Sequence, residues 1–173
     1  MSQIKVECLQ GDITKQQGID AVVNAANAQL RPGGGVAGAI HRAAGPLLYE
    51  ECKNLAPISP GEAVITGAHQ LPNKFVVHCL GPVFGHDKPE AELLASCYTR
   101  ALQLADEKGV KSIAFPAIST GAFGYPVEEA ARVAFWAIKS QLPSLKHIAL
   151  IRMVLWAKDD FLVHKKAMDQ IFN

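Results

Sequence analysis

The 173-residue chain has no surplus of either charge: 17 Lys and Arg stand against 16 Asp and Glu, for a formal net charge of +1. A general nucleic-acid binder needs cationic side chains to displace counterions from phosphates, and a polybasic membrane surface needs the same excess. Composition therefore excludes both partner classes. Long apolar runs are also missing. The longest, His147 to Ala157, is broken by Arg152 and falls short of the roughly 20 residues that a membrane span requires. The stretch from Met1 to Cys8 shows no basic segment leading into an apolar one, so no secretory signal is expected. There is no CxxC pair. Cys8, Cys52, Cys79 and Cys97 lie far apart, three of them within apolar patterns, and read as buried reduced thiols. Six histidines show no HExxH or comparable ligand spacing, so no metal site is expected. Repeats, linkers and low-complexity segments are absent too. With 49% hydrophobic residues and little net charge, disorder is excluded. The expectation is one domain over residues 1–173, cytoplasmic, water-soluble and monomeric.

What is present alternates between strand and helix signals. Ile4 to Leu9 alternates as a half-buried strand should and stops at Gly11-Asp12. Ala21 to Val23 is a short apolar strand ending at Asn24, followed by a helix over Val36 to Ala44 and another over Leu47 to Leu55. Ala63 to Thr66 and Phe75 to Leu80 read as strands. Glu90 to Lys108 carries a helical apolar stripe closed by Gly109, and Ile113 to Ile118 reads as a buried strand. Pro126-Val127-Glu128-Glu129 opens a helix running to about Leu142. A strand over His147 to Trp156 and a closing helix over Asp159 to Phe172 follow. The pattern predicts an α/β fold: a three-layer α/β/α sandwich around a central mixed, largely parallel sheet. Such sheets hold ligands beyond the carboxyl ends of their strands.

Three polar or glycine-rich segments fall at or near those ends: Gly11-Asp12-Ile13-Thr14; Asn24-Ala25-Ala26-Asn27 leading to Gly33-Gly34-Gly35-Val36; and Ser119-Thr120-Gly121-Ala122-Phe123-Gly124-Tyr125. Glycine lets backbone N–H groups approach an anion, and a helix N-terminus adds a favourable field. One such loop suits one phosphate, and two facing loops suit a diphosphate. Tight turns alone would also account for glycines. Asn24 and Asn27 suit sugar hydroxyls, or local backbone as turn-makers. Asp12 can accept from an exocyclic amine of a base, or serve as an ordinary helix cap.

Other motifs fail on context. Gly33 to Gly38 formally matches GxGxxG, but about eight residues separate it from Asn24, and no acidic residue closes a second strand where a dinucleotide fold needs one. Ala117-Ile118-Ser119-Thr120-Gly121 approximates a nucleophile elbow. Asp160 and His164, which follow it in serine-hydrolase order, lie one turn apart on a single expected helix.

The same loops resemble the macrodomain family, which binds ADP-ribose. The matching stretches are Gly11 to Thr14, Asp20 to Asn27 (DAVVNAAN), Gly33 to Gly45 (GGGVAGAIHRAAG), Val76 to Pro82 (VVHCLGP) and Pro116 to Gly124 (PAISTGAFG). They resemble most closely the MacroD-type and bacterial O-acetyl-ADP-ribose deacetylases. The resemblance implies that Asp12 accepts from the adenine amine while Ile13 lines the adenine pocket. It implies that Gly33, Gly34, Gly35, Val36 and Ala37, with Ser119, Thr120, Gly121, Ala122, Phe123 and Gly124, wrap the diphosphate and distal ribose. Asn27 would bond that ribose, with Asn24 supporting the loop, and Trp156 would stack on adenine. Asn27, Asn24, Phe123 and Gly35 are the residues expected to carry the chemistry. One departure matters: MacroD-type hydrolases usually carry Asp directly after GGGV, and this chain has Ala37. Viral macrodomains share GGGVAG and still remove ADP-ribose from acidic side chains.

The resemblance thus implies hydrolysis of an ester at the distal ribose, on mono-ADP-ribosylated Asp or Glu of proteins or on O-acetyl-ADP-ribose. It implies no cofactor. The alternative is a non-catalytic ADP-ribose reader, which Ala37 favours.

Overall fold

The computed structural model describes residues 3–173, so the N-terminal reading begins at two residues, Met1 and Ser2, outside the described range. Its elements are β1 (Lys5–Gln10), β2 (Ala21–Ala25), α1 (Gly35–Ala44), α2 (Leu47–Cys52), β3 (Ala63–Gly67), β4 (Phe75–Cys79), α3 (Glu90–Glu107), β5 (Ser112–Phe115), α4 (Val127–Gln141), β6 (Leu150–Leu155) and α5 (Lys158–Phe172). The strands form a six-stranded sheet in the order β1-β6-β5-β2-β4-β3. All neighbours are parallel except β3, which runs antiparallel to β4.

The two faces bury separate cores. Helices α3, α4 and α5 cover one, where Tyr98 and Phe115 pack with ring centroids 5.1 Å apart and Phe135 is fully buried. Truncating a buried aromatic of this kind to alanine costs about 3–5 kcal/mol. Helices α1 and α2 cover the other, through Ile40, Ala44, Leu48 and Cys52 against Val22 and Val76. This is the expected sandwich. Alternation along β2 sends Val22 to one core and Val23 to the other.

Several boundaries differ from expectation for identifiable reasons. β5 ends at Phe115 rather than Ile118, because Pro116 has no N–H to continue the ladder. β6 starts at Leu150 rather than His147. The Asp106 carboxylate instead accepts the backbone N–H groups of Lys146, His147 and Ile148, at 3.0, 2.8 and 3.0 Å. Those bonds hold the Asp106 carboxyl below its usual range although burial pushes the other way. α2 stops at Cys52, and a 3-10 turn over Leu142–Ser144 follows α4. β2 runs on through Asn24, which pairs in register with His78 of β4.

Strands β5 and β2 lie side by side, yet β5 leads to α4 on one face and β2 to α1 on the other. Chains diverging from adjacent strand ends open a crevice, and that switch point positions the site.

Candidate ligand-binding cleft

Two cavities open at this crevice and meet at Gly35, Val36, Ala117 and Gly121. The first, about 390 Å³, is lined by Asn27, Gly33 to Ala37, Ser119 and Gly121 to Phe123, with Gly81 between the loops. The second, about 540 Å³, is lined by Asp12, Ile13, Thr120 and Trp156, with Arg42 and Asp160 at its edge. Together they form one continuous groove along the sheet edge.

The α1 N-terminus sits where the cavities join. Gly34 caps it with extended backbone and no side-chain hydrogen bond. The first-turn N–H groups therefore lack the usual cap, and Gly35, Val36 and Ala37 line the groove, an arrangement suited to anions. No acidic residue occupies this first turn. The facing loop is closed by its own backbone: Tyr125 donates to the Ser119 carbonyl at 2.9 Å, and Gly124 to Gly121 at 3.0 Å. Gly124, with φ +73°, is a turn-former that does not line the groove. Ser119 holds φ +69° with its hydroxyl buried and unpaired. A Cβ on Gly81 would clash with that hydroxyl, so only glycine leaves it room. The second expected helix N-terminus, that of α4, does not line either cavity; Glu128 and Glu129 fill its first turn.

Asn27 lines the first cavity, but its amide also closes on the chain: Oδ1 accepts from Arg31 N–H and Nδ2 donates to the Arg31 carbonyl, both at 2.9 Å. Turn-making and cavity-lining coexist in this residue. Asn24 is different, and its expected place at the ligand is corrected. It lies inside β2, buried, and lines neither cavity. Its Nδ2 donates to His78 Nδ1 at 3.1 Å, which leaves Nε2 to carry the imidazole proton toward Thr66 Oγ1 at 3.0 Å. A proton on Nδ1 would face the Asn24 donor. Burial, followed by the neighbouring His41, pushes the His78 pKa down to about 3. Burial also lowers His41, whose ring nitrogens have no hydrogen-bond partner among the described residues.

At the wider end, the Asp12 Oδ1 accepts from Thr14 N–H at 2.9 Å and Thr14 hydroxyl at 2.7 Å. These bonds hold the carboxyl below its usual range. Trp156 follows β6 and is 78% exposed, so it is a rim residue and not a core one. Phe123 is half-buried and Ala37 is buried in the lining of the first cavity. The serine-hydrolase arrangement does not form: His164 is buried beside Phe135 and bonded to the Asp160 carbonyl at 2.8 Å.

Gly81 and Arg42 escaped the sequence reading. Arg42 follows Val36 and Ala39 at three-residue steps along α1, a spacing that could have placed it on the groove side. Among the described residues, no three His, Cys, Asp or Glu side chains cluster as metal ligands, and no helix is long and apolar enough to cross a membrane.

The macro domain family model matches residues 23–134. A macro domain-containing protein of Methanosarcina mazei is 49% identical over 96% of this chain and 89% of its own length. The human ADP-ribose glycohydrolase MACROD2 is 45% identical over 98% of this chain, which spans 40% of that protein. Among solved structures, the Oceanobacillus iheyensis macrodomain with ADP superposes with a TM-score of 0.89 at 40% identity, covering 95% of this chain and 90% of that one. The Trypanosoma brucei macrodomain in complex with ADP-ribose gives 0.86 at 37%, covering 93% and 68%.

Proposed function

The chain belongs to the macro domain family, and from that premise we propose that it binds ADP-ribose along the groove and hydrolyses an ester at the distal ribose. The observation that carries this reading is the uncapped α1 N-terminus between an end with Asp12 and Trp156 and an end with Asn27. Adenine takes the wide end, stacked on Trp156 beside Ile13, with its amine donating to Asp12. The diphosphate lies over the Gly33–Val36 and Ser119–Gly121 backbones. Near neutrality of the whole chain is no obstacle, because backbone N–H groups and a helix dipole add no formal charge. The distal ribose meets Asn27 and Phe123.

Water then splits the ester, returning a carboxylate, a proton and the ribose hydroxyl. The protein's share is positioning: it holds the acylated ribose and excludes alternatives, which is where most of an activated ester's acceleration can arise. Substrates of this class are mono-ADP-ribosylated Asp or Glu and O-acetyl-ADP-ribose. Relatives named ADP-ribose glycohydrolase support the hydrolytic reading.

A second reading, a non-catalytic ADP-ribose reader, is favoured by one observation. Ala37 puts a methyl group in the cavity where MacroD-type enzymes carry a carboxylate, and general-base help is worth about 10²–10⁴-fold. Incubation of stoichiometric protein with a glutamate-linked ADP-ribosylated substrate separates the two. Release of ADP-ribose is expected, while binding without release leaves the reader. No calorimetric heat at millimolar ADP-ribose overturns both.

A further inference from the structure

The turn that follows Asn27 contains a residue in an unexpected conformation. Leu30 has φ +56°, in the left-handed region that bulky side chains avoid. It is also fully buried, in the core under α1 and α2 with Ile40, Leu48 and Val22. Glycine or asparagine would make this turn at lower steric cost. A leucine held there against its backbone preference is retained when the surrounding packing over-determines it.

The turn serves one side chain. Leu30 N–H donates to the Asn27 carbonyl at 3.1 Å. The next residue, Arg31, then presents both peptide groups to the Asn27 amide: its N–H donates to Oδ1 and its carbonyl accepts from Nδ2, each at 2.9 Å. Such a double bond to one residue admits a single amide orientation. Flipping it would set oxygen against oxygen and donor against donor. Arg31 is itself exposed, so the anchor of its peptide groups is the neighbouring buried Leu30.

We propose that Leu30 is a positioning residue: seated in the core in a left-handed turn, it fixes the Asn27 amide so that an N–H is offered to the distal ribose. The Nδ2 proton on the Oδ1 side is taken by Arg31, and the other points away from it. A Cβ on Gly33 would lie 3.3 Å from Nδ2, so glycine there leaves the approach to this second proton open. The atom that Asn27 meets is accordingly an acceptor oxygen of the ribose or its ester. A fixed donor aimed at a developing negative charge is worth more to turnover than to binding.

The inference rests on the ester-hydrolase reading, and its test has an arm that does not. In the wild-type protein, NMR should show one Asn27 side-chain amide proton protected from solvent exchange by Arg31, and the other exchanging freely and shifting on addition of ADP-ribose. Two protons that exchange with solvent equally fast overturn the lock even if no variant folds. In Leu30→Ala and Leu30→Gly, with folding checked by melting, that pattern should collapse. In those variants kcat should fall about tenfold while the Kd for ADP-ribose stays within about threefold. Leu30→Met, which keeps apolar bulk, should recover most of kcat. Unchanged kcat, or parallel losses in kcat and Kd, overturns the proposal. A wild type without turnover but with the amide pattern would sink the hydrolase reading and leave the lock standing.

Discussion

At the Asn27 end of the groove, the Asn27 side chain and the facing loop are held by the chain's own backbone. The amide is closed on Arg31, the facing loop on Tyr125 and Ser119, and the α1 N-terminus on nothing but a glycine cap. At the Trp156 end the recognition elements are side chains, one of them an indole left 78% exposed and another a carboxylate tied to Thr14. The narrow end is fixed by its own backbone, whereas the wide end leaves an aromatic surface uncovered. Preorganisation lowers a barrier; surface burial strengthens association. The contrast teaches that turnover and affinity should be separable along this groove.

The largest effect is expected from Asn27→Ala, which should reduce ester hydrolysis by about 10²-fold while ADP-ribose affinity, measured by calorimetry, changes far less. Equal losses would mean that the narrow end only binds, and the contrast would vanish. Trp156→Ala should do the reverse. Loss of a base stacked on an aromatic weakens Kd by about tenfold, with saturated turnover unchanged. A proportional fall in kcat would show that the two ends act as one.

Acid should divide the ends as well. His78, with its pKa pushed down to about 3, and His41, also lowered by burial, sit on β4 and α1 behind the narrow end. A histidine held neutral in the fold gains its proton more readily when unfolded. Its stabilising contribution is therefore complete above the unfolded value near 6.5 and is lost as pH falls toward the folded value. Each such proton tilts stability by about 1.4 kcal/mol per pH unit. Melting temperature should be flat near pH 7–8 and decline below about 6.5, and His78→Gln should flatten part of that decline. The Asp12 carboxyl, lowered by Thr14, stays ionised through this range. The smallest effect is expected of Asp12→Asn. It should weaken ADP-ribose by about threefold, within the net worth of one hydrogen bond, and leave binding of the hypoxanthine analogue unchanged. An equal loss for both ligands would remove Asp12 from base recognition.

Much of this was legible in the chain. Apolar periodicity placed every helix and strand, because burial on both faces of a parallel sheet imposes it. The errors lay at ends: Pro116 stopped β5 locally, whereas at β6 a distant group decided, Asp106 capturing the peptides of residues 146–148 and keeping them out of the strand. Of the two asparagines at the end of β2, only Asn27 reached the groove. Their spacing of three invited one role for both. Yet Asn24 still lies within the strand, paired with a buried histidine, while Asn27 is past it. Gly81 was unreadable for the same reason: its small size answers to Ser119, thirty-eight positions away.

The sequence by itself determined the layered fold, the loops that border the groove and the near-neutral balance of charge. Those properties follow from local pattern and composition, which act without reference to distant partners. Only the tertiary structure decided which polar residue lines the groove, which is bonded behind it, and how an amide is oriented. Such choices depend on hydrogen-bond partners far apart in sequence or on the hand of one turn. A left-handed leucine cannot be read from its letter, because its conformation is set by the core it fills.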